Sequence, residues 1–428
     1  MRYLVKGGHV IDPINKIDGV FDILICDGKI EKIGKDLGIK ADETIDAKGR
    51  IVAPGFVDMH VHLREPGRED EETIHSGTRA AIKGGFTTVA CMPNTEPPID
   101  NPAAANILRA IIKKDAVCNV VIVGTITKLG QGLKLTEFLR MKEAGVTAFS
   151  DDGSSVDDWA LLAGALSEAA AQGQVIIEHC EDKKLSAGGV MNAGFMATKM
   201  GLKGMSCASE YERVQRNVDL ARKKLSGIHI AHVSCKESVD LIRKAKRDGV
   251  KVTAETAPHY FALTEDCCAT YDTNTKMNPP LRAKKDVEAI KKGLADGTID
   301  ALATDHAPHT DAEKDVEFDS APFGIIGLET ALSLAVTELV DKKVLSWSEL
   351  IMKMSANPAR ILRIEKGALS AGGWADIVII DPDKEYIYKK DSIGSKSKNS
   401  PFIDWKLKSK VTHVFVGGKL IMNDEIIT

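Results

Sequence analysis

The pattern of apolar and polar positions changes character twice along the chain. Roughly the first 50 residues alternate in short runs, YLVKGGHVID, FDILICDGKIEKIG and a third entering IVAPGFVD, broken at GG and DG, as strands joined by tight turns are. The far end repeats this texture in GGWADIVIID, KEYIYKK and KVTHVFVGGKLIMNDEIIT. Between them lie eight short apolar runs: VDMHVH (57–62), FTTVACM (86–92), NVVIVGTI (119–126), VTAFS (146–150), QVIIEH (174–179), IHIAHV (228–233), KVTAET (251–256) and IDALATD (299–305). Each leads through a polar loop into a stretch rich in Ala, Leu, Lys and Glu, which predicts βαβ units and a parallel sheet. Eight units fit a closed (β/α)8 barrel of the TIM type, which takes about 250 residues and more with insertions. An open doubly wound sheet fits less well, because no GxGxxG follows the first run and polar residues gather at the carboxyl ends of many runs. The expected architecture is therefore α/β: a barrel over 54–365, with a small β-sandwich domain built from both chain ends, 1–53 and 366–428.

Composition narrows the partners. With 57 basic and 61 acidic residues among 428, the net charge is −4, so no excess of Lys and Arg is available for a phosphate backbone. Nucleic acid is not an expected partner. No run approaches the roughly 20 apolar residues a bilayer requires, so no membrane association is expected. The start MRYLVKGGHVIDPINKIDG breaks into glycines and charges before a signal-peptide core forms, so a cytoplasmic location is expected. Eight scattered cysteines with no CxxC pair are expected to be reduced thiols.

Barrel enzymes build their sites at the carboxyl ends of the strands, so the residues ending the runs form one set: His60, His62, Asn94, Asp151, Asp152, His179, His232, Asp305, His306 and His309. His60 and His62 are two apart on an extended segment and share a face. One strand-end histidine is ordinarily a hydrogen-bonded rim residue. Four of them with two aspartates are a ligand set, and imidazole with carboxylate suits Zn²⁺ best, no thiolate lying among them. Six donors are too many for one tetrahedral ion with an open position, which predicts a binuclear site.

The segments GFVDMHVHLREPG (55–67), FSDDG (149–153) and ATDHAPHTDAEK (303–314), with CMPNTEPP (91–98) and the tail GGWADIVIIDPD, resemble the long, bacterial-type dihydroorotases of the amidohydrolase superfamily over the whole chain. The resemblance implies that His60, His62 and Asp305 hold one zinc, that His179 and His232 hold the other, and that an aspartate of FSDDG bridges them. Many superfamily members place a carboxylated lysine there, and here no lysine follows VTAFS. Alternation separates Asp151 from Asp152 without saying which faces inward; Asp152 is assigned from the family match. The implied activity is the reversible cyclisation of N-carbamoyl-L-aspartate to L-dihydroorotate in de novo pyrimidine biosynthesis. A hydroxide on the metal would be the nucleophile and Asp305 the general base and acid. Two dications against two carboxylates and a hydroxide leave a net positive site, which suits an anionic substrate. Arg64 can offer a two-bonded fork to the substrate carboxylate, joined in the family by Asn94 and His309. Asn278, with Phe323 and Gly324 in APFGIIG, matches segments that contact the pyrimidine ring, although Asn-Pro is equally a turn signal. A homodimer and an association with aspartate transcarbamoylase are the partner expectations.

Other features read as structure. The acid run Glu69 to Glu72 suits a helix amino end, His75, His259 and Tyr260 suit packing, and His9 and His413 lie in the β domain. The charged loop 309–324 is placed to act as a lid. Competing functions are another cyclic amidohydrolase, an allantoinase or hydantoinase, or a metal-free scaffold, which the complete ligand set disfavours.

Overall fold

The computed structural model describes residues 1–427, so Thr428, the last position of the final predicted run, lies outside the described residues. All eight central runs form parallel strands, at Phe56–Val61, Phe86–Cys91, Asn119–Gly124, Val146–Phe149, Val175–Glu178, Ile228–Ile230, Val252–Thr256 and Ala301–Leu302, paired in sequence order. The ring closes beyond the last strand: His62 N donates to His306 O at 2.8 Å, and the Asp58 carboxylate accepts from Thr304 N at 3.1 Å. The first two helices between strands begin at polar caps, Thr73 before Ile74–Lys83 and Asn101 before Pro102–Asp115, whose side chains accept from orphan amide donors.

Strands of such a ring are covered on both faces, which is why they read as continuous apolar runs. Val57, Met59, Ala90, Met92, Val123, Ala148 and Ile177 fill the interior, while Phe56, Val61, Phe86, Val89, Cys91 and Ile122 belong to the layer under the helices. Strict alternation from Met59 would turn His60 outward. The register against the second strand slips between Asp58 and Val61, and this irregularity aims His60 and His62 at the barrel mouth.

Both chain ends form one further sheet of nine strands among the described residues: Arg2–Asp12, Ile17–Cys26, Lys29–Gly34, Glu43–Asp46, Ile51–Pro54, Ile377–Ile387, Lys406–Val416, Lys419–Asn423 and Ile426–Ile427. Ile51–Pro54 joins the halves, parallel to the first strand and antiparallel to Ile377–Ile387. Tyr3 and Phe415 meet with ring centroids 5.2 Å apart although their strands are three places apart in the sheet, so the sheet curls over its own core. The short strand Glu43–Asp46 and the pair Met191–Asn192 with Gly204–Met205 were not foreseen, being too short to show a period. No described helix is long and apolar enough to cross a membrane.

Candidate metal centre and active site

The strand ends converge on a cavity of ≈ 170 Å³, smaller than the roughly 300 Å³ at which drug-sized pockets begin and suited to a small metabolite. Its lining includes His62, Arg64, Asn94, Asp152, His179, His232, Asn278, Asp305, His309, Phe323 and Gly324. Every residue expected for metal or substrate is there except His60, which lies fully buried against Asp152 and Asp305. A larger hollow of ≈ 340 Å³, between Lys83, Glu329, Tyr386 and Lys410, gathers no histidines.

Asp152 stands at the centre. Its carboxylate is 3.3 Å from His60 Nε2, 3.4 Å from His62 Nε2, and 3.7 Å from both His179 Nδ1 and His232 Nε2. Asp305 Oδ1 lies 3.2 Å from His62 Nε2 and 3.5 Å from His60 Nε2, and His179 Nδ1 is 2.8 Å from His232 Nε2. Asp151 points elsewhere, accepting from Thr127 N at 3.1 Å and from the Thr127 hydroxyl. Two donor groups could each hold an ion, His60 with His62 and Asp305, and His60 with Asp152 and His232. His60 Nε2 and Asp152 Oδ1 are buried with no hydrogen-bond partner, so the donor set fits a cation between them.

Charge is balanced within the cluster. Burial opposes ionisation of both aspartates, yet the nearby imidazoles outweigh it and hold Asp305 below, and Asp152 well below, the ordinary carboxylate range. Burial likewise opposes charge on His60 and His232, and the same two aspartates raise both above the ordinary imidazole value. A dication in this space would take over the role of those protons.

Outer partners fix the rings. His60 Nδ1 is 2.8 Å from Glu255, His62 Nδ1 donates to Asn94 Oδ1 at 2.9 Å, and His179 Nε2 is 3.0 Å from Glu181. Such contacts set the tautomer and basicity of a metal-binding imidazole. Asn94 thus spends its oxygen on His62 while lining the cavity, and Asn278 donates to Glu181 at 3.1 Å.

The opposite wall is built on Arg64. Its Nε contacts Glu71 at 2.8 Å and donates to Pro308 O at 3.1 Å, and its Nη2 lies 3.3 Å from His309 Nε2. Glu71 also holds His309 Nδ1 at 2.9 Å, so one carboxylate braces both side chains. Burial keeps His309 below the ordinary imidazole value despite Glu71. Arg64, His232 and Asp305 have φ of 59°, 32° and 50°, left-handed backbone that costs a non-glycine residue on the order of 1–3 kcal/mol and collects at functional sites. Gly324, with φ of 127°, sits where a Cβ would come within 2.6 Å of Ala307 Cβ. The loop 309–324, expected as a lid, is fastened as a wall: Asn399 donates to Ala307 O and Gly324 O, Gly324 N donates to Lys276 O, and Lys314 Nζ donates to Thr273 O and Pro322 O.

Sequence reading missed Glu71, Glu72, Glu181, Glu255 and Asn399. The acid run does precede a helix, but Glu71 is buried under Arg64 and His309 and Glu72 under His306, 3.3 Å away. In a sequence, an acid that becomes buried looks no different from one that stays solvated; only its closeness to the site segment HLREPG, within REPGREDEE, could have singled out Glu71.

A (β/α)8 barrel that gathers four imidazoles and two carboxylates at its strand ends, beside an arginine-lined pocket, defines a metal-dependent cyclic amide hydrolase. Comparison with known proteins agrees. The family model described as "Dihydro-orotase-like" matches residues 49–238. Proteins named dihydroorotase from Elusimicrobium minutum and Pelotomaculum thermopropionicum are 54% and 52% identical, covering 98% and 100% of this chain and 97% and 100% of theirs. Among solved structures, an L-hydantoinase (dihydropyrimidinase) from Arthrobacter aurescens superposes with a TM-score of 0.90 at 27% identity, over 100% of this chain and 97% of that one. The chain belongs to the dihydroorotase family.

Proposed function

We propose that the protein catalyses the reversible, zinc-dependent cyclisation of N-carbamoyl-L-aspartate to L-dihydroorotate. The observation that carries this reading is the meeting, at one small cavity, of five of the six donors, with His60 buried directly behind them, and a wall of Arg64, Asn94 and His309. His60, His62 and Asp305 would hold one zinc ion and His179 and His232 the other, with Asp152 shared. When bound, zinc supplies Lewis acidity and lets water ionise near neutral pH.

The chain's own groups do the rest. Among the described residues Arg64 Nη1 makes no hydrogen bond and Nη2 makes one, to His309, which leaves donors for the substrate carboxylate that does not react. Asn94, its oxygen held by His62, has its NH2 left to donate. Asn278, Phe323 and Gly324 also line the cavity and would contact the ring, Phe323 through a carbonyl 2.9 Å from His309 Nε2. In ring opening Asp305 takes the proton of the attacking water and passes it to the departing ring nitrogen; in closure the roles reverse.

Fold likeness to hydantoinases makes hydantoin hydrolysis the second reading. Assaying carbamoyl-aspartate, dihydroorotate, hydantoin and allantoin side by side separates the two, and turnover of a hydantoin or allantoin without turnover of dihydroorotate would overturn the proposal.

A further inference from the structure

Two of the eight cysteines come together at a place the catalytic reading does not use. Cys207 precedes the helix Ala208–Lys224 and Cys235 precedes the helix Lys236–Arg247, so both thiols sit at helix amino ends. Their sulfurs and a carboxylate oxygen of Glu237 all lie within 4.8 Å of one another. Cys235 is fully buried, whereas Cys207 is half-buried and gives the cluster a way out to solvent.

Two orphaned oxygens border this group. Glu237 Oε2 is buried with no hydrogen-bond partner, its residue's nearest cation being Lys285 Nζ, 3.8 Å from Oε1. Asp286 accepts from Lys236 N at 2.9 Å through Oδ1, while its Oδ2 is also buried and unpartnered. The Glu237 side chain is 39% exposed and only this oxygen is covered, whereas Asp286 is buried, and a buried carboxylate oxygen is normally satisfied; the two open oxygens beside the thiols are free to meet a cation. Arg282 is the nearby buried cation, but its donors go to Glu210, Ser234, Asn192 and Met205 O. Cys235 Sγ lies 3.1 Å from Ser238 Oγ and Cys207 Sγ 3.9 Å from Asn192 Oδ1; the interaction between the two thiols, with the charge of Arg282, favours a Cys207 thiol below its ordinary range, and the same interaction with burial pushes Cys235 up.

We propose that Cys207, Cys235 and Glu237 form a further metal site, separate from the strand-end cluster, for one thiophilic dication of the zinc class, with water in the fourth position. Two sulfurs and one oxygen select zinc or cadmium over magnesium or calcium. Binding sends the two thiol protons to solvent, so affinity rises with pH. None of these donors lines the catalytic cavity.

The test uses the full-length enzyme with its catalytic metal in place. Cd²⁺ is titrated in while the near-ultraviolet thiolate-to-cadmium charge-transfer band is followed; the strand-end cluster contains no sulfur and adds nothing to that band. The expected result is one equivalent per chain in the wild type and no such band in the Cys207→Ser/Cys235→Ser variant, with turnover of dihydroorotate retained. Glu237→Gln, with both thiols intact, should need roughly tenfold more Cd²⁺ to reach half saturation. Should the double variant fold poorly, Cys207→Ser alone carries the same comparison. The proposal falls if the wild type shows no band, if the band survives loss of the thiols, or if thiol titration finds Cys207 and Cys235 joined as a disulfide in the purified enzyme.

Discussion

Replacing Arg64 by lysine tests the substrate wall with the charge kept. Arginine has five N–H donors in a planar fork. In this site the Nε donor is spent on Glu71 and Pro308 O, and one Nη2 donor on His309, which leaves three for a ligand. A lysine ammonium has three donors on one atom, and if it keeps the buried Glu71 satisfied it cannot also present two parallel bonds to a carboxylate. The expected loss is one to two charge-assisted hydrogen bonds, each worth about 1.5–3 kcal/mol, offset in part by the retained charge. A net of about 1.4–2.7 kcal/mol corresponds to a KM for dihydroorotate raised roughly 10- to 100-fold. Arg64 makes no hydrogen bond to the six-donor cluster among the described residues, and lysine keeps the positive charge that acts on Asp305, so kcat should stay within about fivefold of wild type. The left-handed φ of 59° burdens lysine as it burdens arginine, so thermal unfolding should change little from backbone strain. Initial rates of ring opening over a range of dihydroorotate concentrations measure both constants. A KM within twofold of wild type would refute the reasoning, and a fall confined to kcat would move Arg64 to the chemistry.

The other expectations are shorter. Asp152→Asn should lower bound metal and rate together, whereas Asp151→Asn, altering a group tied to Thr127, should spare the metal content read by elemental analysis. Glu255→Gln leaves all six donors but replaces the carboxylate partner of His60 Nδ1 with a neutral amide, and should weaken metal retention against a chelator by roughly 10- to 100-fold. Burial lowers the Lys314 ammonium to about 7, so its desolvation penalty is fully present below that pH and is relieved as pH rises toward its unfolded value of 10.5. Melting temperatures at pH 6 to 9 should therefore show wild type gaining on Lys314→Met as pH rises, and a constant gap would contradict the assignment. Ring closure takes up one proton, so the equilibrium ratio of dihydroorotate to carbamoyl-aspartate should fall about tenfold per pH unit above the ordinary carboxyl range.

Much of this protein can be read along the chain because the physics concerned is local. The eight apolar runs are strands since a ring covered on both faces demands continuous apolar segments, and each run is short enough to be bounded by its own loop. The donors at their ends, from His60 to Asp305, are legible for the same reason: chain direction alone places every carboxyl end of a parallel ring on one side. Three things needed tertiary structure. Alternation could not choose between Asp151 and Asp152, because which face of the fourth strand looks inward depends on how the ring closes; the structure turns Asp152 to the histidines and gives Asp151 to Thr127. Likewise His60 and His62 share a face by parity, but that face is the inner one only through the register slip after Asp58. Finally, Glu255 meets His60 from 195 positions away, and Asn399 reaches back from between two strands of the terminal sheet to hold Ala307 and Gly324. Such bonds join residues with no periodic relation, and their strength comes from burial, which exists only once distant segments have excluded water together.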